Sequence, residues 1–310
     1  MSAFPDPEPG LKTRQSPRTP AAIGKPLEIL QAPNLSNIPW LVHGFSTRQG
    51  GVSTCYGGQT LNLGLTPADT KENVARNRKL FLESLQAKDD DSAWPLVQLK
   101  QIHSAVIHRL SAAPPQEALA GDALIADAPG LLLAIKTADC VPVLIADVKR
   151  RVVGAFHAGW RGTVARIVEK GVGEMRRQFG SKPIDLRAAI GPSIRRCCYQ
   201  VGPEVRAEFD SQFTYSGGLF GEVFDADAIH VRYPILFLAA RAPGHSELGP
   251  ELHLDLVEAN CRQLEDAGLR AAHIAIIDGC TACDTTRFFS HRAEFGKTGR
   301  MMAAIGIRPQ

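Results

Sequence analysis

The chain has 310 residues, 44% hydrophobic and 22% charged, with a formal net charge of +3. That length buries a large core, as one large domain or two modest ones, and the balance is ordinary for a soluble globular protein. So small a net charge gives no argument for nucleic acid or a membrane surface as partner. No apolar run approaches the roughly 18 residues a membrane helix needs. The 7 cysteines are odd in number and thinly spread, which does not read as a disulfide framework. Reduced thiols in a cytoplasmic protein are expected.

Residues 1–26 hold six of the 21 prolines and almost no large apolar residue. Such a segment cannot bury enough surface to offset its ordering entropy, so it reads as a disordered tail. It lacks the apolar core of a signal peptide. One domain is expected over 27–310.

Within it, LVHGFST (41–47) reads as a strand followed by a Gly-rich turn, RQGGVS. A helix follows Pro67 and Asp69, with Val74, Phe81 and Leu85 on one face. Residues 96–110 read as one or two strands, 131–147 as two apolar runs broken at TADC, and 152–158 as a buried strand. Thr163 is expected to cap a helix whose Val164, Ile167, Val168, Gly171, Val172, Met175 and Phe179 form a core-facing stripe. Short strands follow at 186–191 and 273–278. Between them, 256–269 reads as an amphipathic helix with Val257, Cys261 and Leu264 on one face and Gly268 as its stop. No internal repeat is visible. Short strands alternating irregularly with helices point to a mixed-sheet α/β or α+β domain rather than a regular βαβ array.

Three residues invite a metal. His103 stands in QLKQIHSAVIH, Cys140 in KTADCVPVLIAD and His157 in GAFHAGWRGT, each within or at the end of a strand-like run. Two imidazoles and a thiolate suit Zn²⁺, and three protein ligands leave a coordination position open, as catalytic sites require. Two readings compete: a buried Cys with two satisfied core histidines, and a metal-free pair in which Cys140 is nucleophile and His157 its base.

Arg48 in STRQGGVS and Arg161 in HAGWRGT sit in Gly-rich turns, where backbone N–H groups and a guanidinium can hold phosphate; the alternative is tight turns with solvated arginines. Neither turn is a P-loop. Asp139, next to Cys140, and Asp122, in GDALIA, are candidates for proton transfer or for orienting a ligand His, or are simply turn residues. Cys197–Cys198 and Cys280-x-x-Cys283 could hold a structural zinc if they met. Adjacent cysteines point to opposite sides of an extended chain, which argues against both Cys197 and Cys198 binding one ion.

HGFSTRQGGVS, NLGL, QIHSAVIH, GDALIA, TADCVPVLIAD, HAGWRGT, AIGPSIRRCCYQVG and CTACDTTRFFSHR, in that order, resemble the YfiH family, also called the laccase-domain or purine nucleoside phosphorylase YfiH family. The resemblance runs from about Leu41 to the C-terminus. It implies a layered α/β/β/α sandwich of the α+β class with mixed sheets, similar to the catalytic domain of cytotoxic necrotizing factor toxins. It implies metal ligation by His103, Cys140 and His157. The implied activity is zinc-dependent phosphorolysis of adenosine, inosine and methylthioadenosine, with adenosine deaminase activity alongside. A role as an editing factor for peptidoglycan precursors is also attributed to bacterial members. The segment SHRAEFGKTGR departs from the YRR-type sequence of many relatives, and RRCC is more basic than their glycine-containing turn.

On that basis Arg48 and Arg161 are expected to hold phosphate and Asp139 to move the proton, with purine nucleoside and phosphate as partners. Two alternatives stand beside it: a metal-free Cys–His hydrolase acting on a cell-wall precursor, and a non-catalytic protein with structural zinc. True laccase chemistry asks for on the order of ten histidines, mostly in H-x-H pairs. The chain has 9 and no such pair, though copper could occupy the same three-ligand site.

Overall fold

The computed structural model describes residues 26–89, 92–111, 113–223 and 251–309. Apart from Pro26, the expected disordered tail lies outside the described residues. Two sheets carry the fold. One has five strands in the order Ile29–Leu30, Leu41–Ser46, Met301–Ile307, Leu132–Thr137 and Leu96–Gln98. The other has six, in the order Ile274–Ile276, Leu186–Ile190, Val141–Asp147, Val152–Ala158, Ala123–Ala126 and Ile107–Leu110. Both are mixed: the six-stranded sheet has a parallel pair at each edge, the five-stranded sheet has one only at its Leu96–Gln98 edge, and every other pair is antiparallel.

Side chains alternate across a strand, so a strand apolar on every residue must be covered on both faces. Leu133, Ile135, Ala303 and Ile305 meet Leu144, Ala146, Val153 and Ala155 between the sheets. Their neighbours Leu132, Ala134, Met302 and Ala304 turn the other way, onto Phe81 and Leu85 at the helix Lys71–Ser84. Beyond the six-stranded sheet, Val143, Ile145, Val152 and Phe156 pack on Ile167, Val168, Val172 and Met175, and share that core with Val257 and Leu264. The layers are therefore α/β/β/α, as expected. Each fully buried side chain of this size contributes about 1.5–3 kcal/mol. Among the described residues no helix is long and apolar enough to cross a membrane.

Two local expectations need correction. RQGGVS is not a turn: Gln49–Ser53 is a strand. Its glycines serve close backbone approach, since a Cβ on Gly50 would stand 2.3 Å from Leu27 Cα and one on Gly51 2.2 Å from the Thr60 carbonyl oxygen. Thr163 caps no helix. A short helix, Trp160–Val164, already starts after Gly159, and Arg166, in the left-handed region at φ 61°, separates it from Ile167–Phe179. Thr163 is buried, and its hydroxyl accepts instead from Asn260 Nδ2 at 3.1 Å. Residues 96–110 hold two strands, one of the two expected readings, and these lie in different sheets.

Two crossings between the sheets position the site. Thr137 ends a strand of the first sheet and Val141 begins one of the second, so Ala138, Asp139 and Cys140 carry the chain across. Asp139 makes that corner at φ 90°. Such a conformation costs a non-glycine residue of order 1–3 kcal/mol and persists only where neighbours hold it. The segment between Gln98 and Ile107 makes the other crossing, with His103 at φ 57°.

Candidate metal centre

His157 is the penultimate residue of the Val152–Ala158 strand, paired with Pro142 two residues beyond Cys140. That register lays the TADC corner beside the imidazole. On the other side the strand meets Ala123–Ala126, and His157 N–H donates to the carbonyl of Asp122 at 2.8 Å. His103 comes in from its crossing, with ring centroids of His103 and His157 5.1 Å apart at 72°. One donor atom from each of His103, Cys140 and His157 lies within 4.8 Å of the others. His157 is buried, Cys140 half-buried and His103 exposed, so the group opens to solvent on the His103 side. Gly159 closes the inner side: a Cβ there would stand 3.1 Å from Cys140 Sγ and 3.2 Å from His103 Cδ2.

Asp122 organises both imidazoles. Its carboxylate is fully buried and accepts from His157 Nδ1 at 2.9 Å. It also accepts from the backbone N–H groups of Ile102, His103 and Ser104 at 3.3, 3.1 and 2.6 Å and from the Ser104 hydroxyl at 2.7 Å. Burial alone would raise this carboxyl, but the His157 and Ser104 donors hold it well below the usual carboxylate range. An ionised carboxylate only accepts, so His157 carries its proton on Nδ1 and turns Nε2 toward Cys140.

The charges are strongly coupled. Burial pushes the Cys140 thiol up, but the charge of His157 and hydrogen bonds from His103 and His157 bring it down to about 6. Burial pushes His157 down, but the Cys140 thiolate and Asp122 raise it to about 9. Without metal the pair is thiolate and imidazolium at neutral pH.

This donor set fits a zinc-like ion. Tetrahedral bonds of about 2.0–2.1 Å to nitrogen and 2.3 Å to sulfur put ligand atoms about 3.4–3.6 Å apart. Small side-chain rotations within the observed spacing reach that. The Asp122–His157 pair is the outer hydrogen bond that ligating histidines nearly always make.

The other expected residues divide. Asp139 is buried beside Cys140; Oδ1 accepts from the Thr281 hydroxyl at 2.6 Å and Oδ2 from Arg292 N–H at 2.7 Å. Arg161 is exposed, lies over the Trp160 ring at 4.2 Å and makes no ion pair among the described residues. Arg48, expected at phosphate, is enclosed by the fold. It is 4% exposed; Nη1 donates to the Thr285 and Phe288 carbonyls and pairs with Glu294 at 3.1 Å, and Nη2 donates to the Tyr56 carbonyl at 2.6 Å. Both terminal nitrogens are spent on the fold, while Nε has no partner among the described residues.

Tyr199 was missed. Burial first, and then the charges of Cys140 and Asp139, push its phenol up against the opposing pull of Arg292 and Arg161, so it lies within reach of the metal group's charge. Arg292 lies 5.4 Å from the Tyr199 ring centroid and donates to the Gln200 carbonyl at 2.9 Å. Its one sequence signal is its place in CCYQ, directly after the paired cysteines.

Residues 42–308 match the family described as multi-copper polyphenol oxidoreductase laccase. The chain is 36% identical over 283 residues to "Purine nucleoside phosphorylase" of Deinococcus radiodurans, covering 91% of this chain and 93% of that protein. It is 35% identical over 272 residues to "Adenosine deaminase RL5" from an unknown prokaryotic organism, covering 85% and 93%. The crystal structure of the hypothetical protein YfiH from Bacillus licheniformis superposes with a TM-score of 0.71 at 33% identity, covering 86% of this chain and 93% of that one.

Proposed function

The chain belongs to the family described as multi-copper polyphenol oxidoreductase laccase, the YfiH family, and from that premise we propose a zinc-dependent purine nucleoside phosphorylase that also deaminates adenosine. The observation that carries this reading is the convergence of His103, Cys140 and His157 on one open-sided donor group with Asp122 behind it. A zinc ion held there supplies a Lewis acid to a reacting oxygen.

The chain's own residues supply the rest. In phosphorolysis a phosphate oxygen forms a bond to ribose C1′ while the glycosidic bond breaks and the purine leaves with a proton. Arg161, exposed and without an ion pair among the described residues, offers its guanidinium to the phosphate. Tyr199, kept protonated chiefly by burial and by the neighbouring Cys140 charge, is a proton donor for the departing base. In deamination water replaces the amino group at purine C6, and a carboxylate takes a proton from the water and returns it to the leaving ammonia. Asp139 is our candidate for that relay, since each oxygen accepts one hydrogen bond and keeps a further lone pair. We read the setting as cytoplasmic, consistent with 7 free thiols.

Laccase chemistry asks for on the order of ten converging histidines. Among the described residues only His103 and His157 join a shared donor group. Copper, if bound, would occupy the same three ligands.

A second reading rests on the line Cys140–His157–Asp122, which has the geometry of nucleophile, base and orienting acid. It describes a metal-free hydrolase, with a cell-wall precursor as substrate. One experiment separates the two. Product formation from inosine and adenosine is followed with and without phosphate, on wild type and Cys140→Ala of measured zinc content. Phosphate-dependent hypoxanthine that disappears with the zinc supports the phosphorylase. Full nucleoside turnover after zinc removal favours metal-free Cys–His chemistry, and no nucleoside turnover by zinc-loaded wild type overturns our reading and moves the search to cell-wall precursors.

A further inference from the structure

The strands Leu186–Ile190 and Ile274–Ile276 are parallel neighbours, with Ile190 opposite Ile276. The segments that follow them leave the same end of the sheet. The first carries Cys197 and Cys198, the second Cys280 and Cys283. Their sulfurs meet: all four lie within 4.8 Å of one another, with Cys283 Sγ 3.4 Å from Cys197 Sγ and 3.2 Å from Cys198 Sγ. The expected divergence of adjacent cysteines fails because the chain is not extended there. The N–H groups of Cys198 and Tyr199 both donate to the Arg195 carbonyl, at 2.9 and 3.0 Å, and that turn brings both sulfurs to one side.

We propose that Cys197, Cys198, Cys280 and Cys283 bind one Zn²⁺ as a closed, four-thiolate structural centre, separate from the His103–Cys140–His157 group. Four sulfurs and no oxygen or imidazole make a soft donor set that selects zinc over magnesium or calcium. A Cys₄ sphere with bonds of about 2.3 Å puts sulfurs about 3.8 Å apart, between the short separations from Cys283 and the 4.8 Å that bounds the whole cluster. Four neutral thiols at this spacing gain only weak contacts and four thiolates repel, so a divalent cation is what makes the grouping favourable. Arg195 N–H donates to Cys280 Sγ at 3.4 Å, a contact that suits a thiolate held by metal.

The clamp is tied to the surroundings of the first centre by two residues. Thr281, whose hydroxyl holds Asp139, sits between Cys280 and Cys283, and Tyr199 follows Cys198. Zinc here would pin the two segments that present Asp139's partner and Tyr199. The proposal does not depend on which reaction the first centre performs.

The test is metal stoichiometry on full-length protein purified under reducing conditions, loaded with zinc and desalted. We expect two zinc per wild-type chain, one in Cys140→Ala, one in Cys283→Ser and none in the double variant. Cobalt loaded into Cys140→Ala should show the intense thiolate charge-transfer bands of a tetrahedral four-sulfur site. If Cys283→Ser does not fold, Cys140→Ala alone still decides. Folded Cys140→Ala that retains no zinc overturns the proposal. So does a Cys198–Cys283 disulfide in the reduced-purified protein, or iron–sulfur absorption in place of zinc.

Discussion

His157 Nδ1–H donates to Asp122 Oδ1 across 2.9 Å, and neither side chain is more than 4% exposed. The same carboxylate binds the backbone of Ile102, His103 and Ser104. One buried acid therefore sets the tautomer of one metal ligand and the approach of another. Its position just before the Ala123–Ala126 strand makes this possible, because that strand pairs directly with the one bearing His157.

Replacing Asp122 by Asn keeps the shape but removes the charge that fixes the His157 proton. Outer partners of this kind typically matter 10–100-fold in metal affinity. Asp122→Asn is expected to lose zinc affinity by about that factor while the chain stays folded, measured by competition with a chromophoric chelator. Unchanged affinity would show that the carboxylate anchors the 102–104 segment and nothing more.

Metal uptake should release a proton. In metal-free protein Cys140 is thiolate above about 6 and His157 is imidazolium below about 9. Between those limits the pair carries one proton, on His157, and zinc requires it gone. Zinc affinity should rise about tenfold per pH unit across that window and level off above it. Calorimetry in buffers of different ionisation enthalpy counts the protons; none from this pair at pH 7.5 would mean that the metal-free pair is already neutral at His157. For metal-free stability the signs oppose. The depressed Cys140 contributes fully above 9.0 and fades as pH falls through about 6, while the raised His157 contributes fully below 6.5 and fades as pH rises through about 9.

The layers and the metal group were legible because their signals are local. Leu132–Thr137 and Val141–Asp147 are apolar on both faces, and the polar break between them marks the crossing that carries Cys140. His103 and His157 stood in recognisable motifs with strands around them. What stayed hidden depends on contacts distant in sequence. Nothing near Arg48 announces Glu294, 246 residues away, or the carbonyls that enclose its guanidinium. The turn that sets Cys197 beside Cys198, and the neighbour strand that delivers Cys283, are likewise absent from any local pattern. Arg166, left-handed in the middle of an apolar stripe, breaks a helix that the stripe alone reads as continuous.

His43 should make the protein acid-sensitive. It is 2% exposed, and its Nε2 accepts from Ala32 N–H at 2.9 Å, which only a neutral ring can do. Burial brings it from 6.5 down to about 4, so the unfolded chain binds a proton that the folded one refuses. Stability therefore falls as pH drops from 6.5 toward 4, by about 3 kcal/mol in full. His43→Gln lacks that titration. The stability gap between wild type and His43→Gln in urea unfolding should narrow by about that amount between pH 7 and 4; a gap independent of pH would mean that the ring charges without penalty.

The two arginines of the Gly-rich segments should fail in different ways. Arg48 and Glu294 form a pair with side chains 5% and 22% exposed, so Arg48→Met strands a carboxylate and several carbonyls and should cost about 3–5 kcal/mol of stability. Arg161 is exposed and has no acid partner among the described residues, so Arg161→Gln should change stability by no more than about 0.5 kcal/mol. Its loss should appear in phosphate use. A charge-assisted hydrogen bond is worth about 1.5–3 kcal/mol, which predicts a rise of about tenfold or more in the KM for phosphate with the KM for inosine little changed. Chemical denaturation and initial rates at varied phosphate on the same three proteins check both halves. A stable Arg48→Met with weakened phosphate use would reverse the assignment, because it would place the anion at the buried guanidinium rather than beside the HAGW turn.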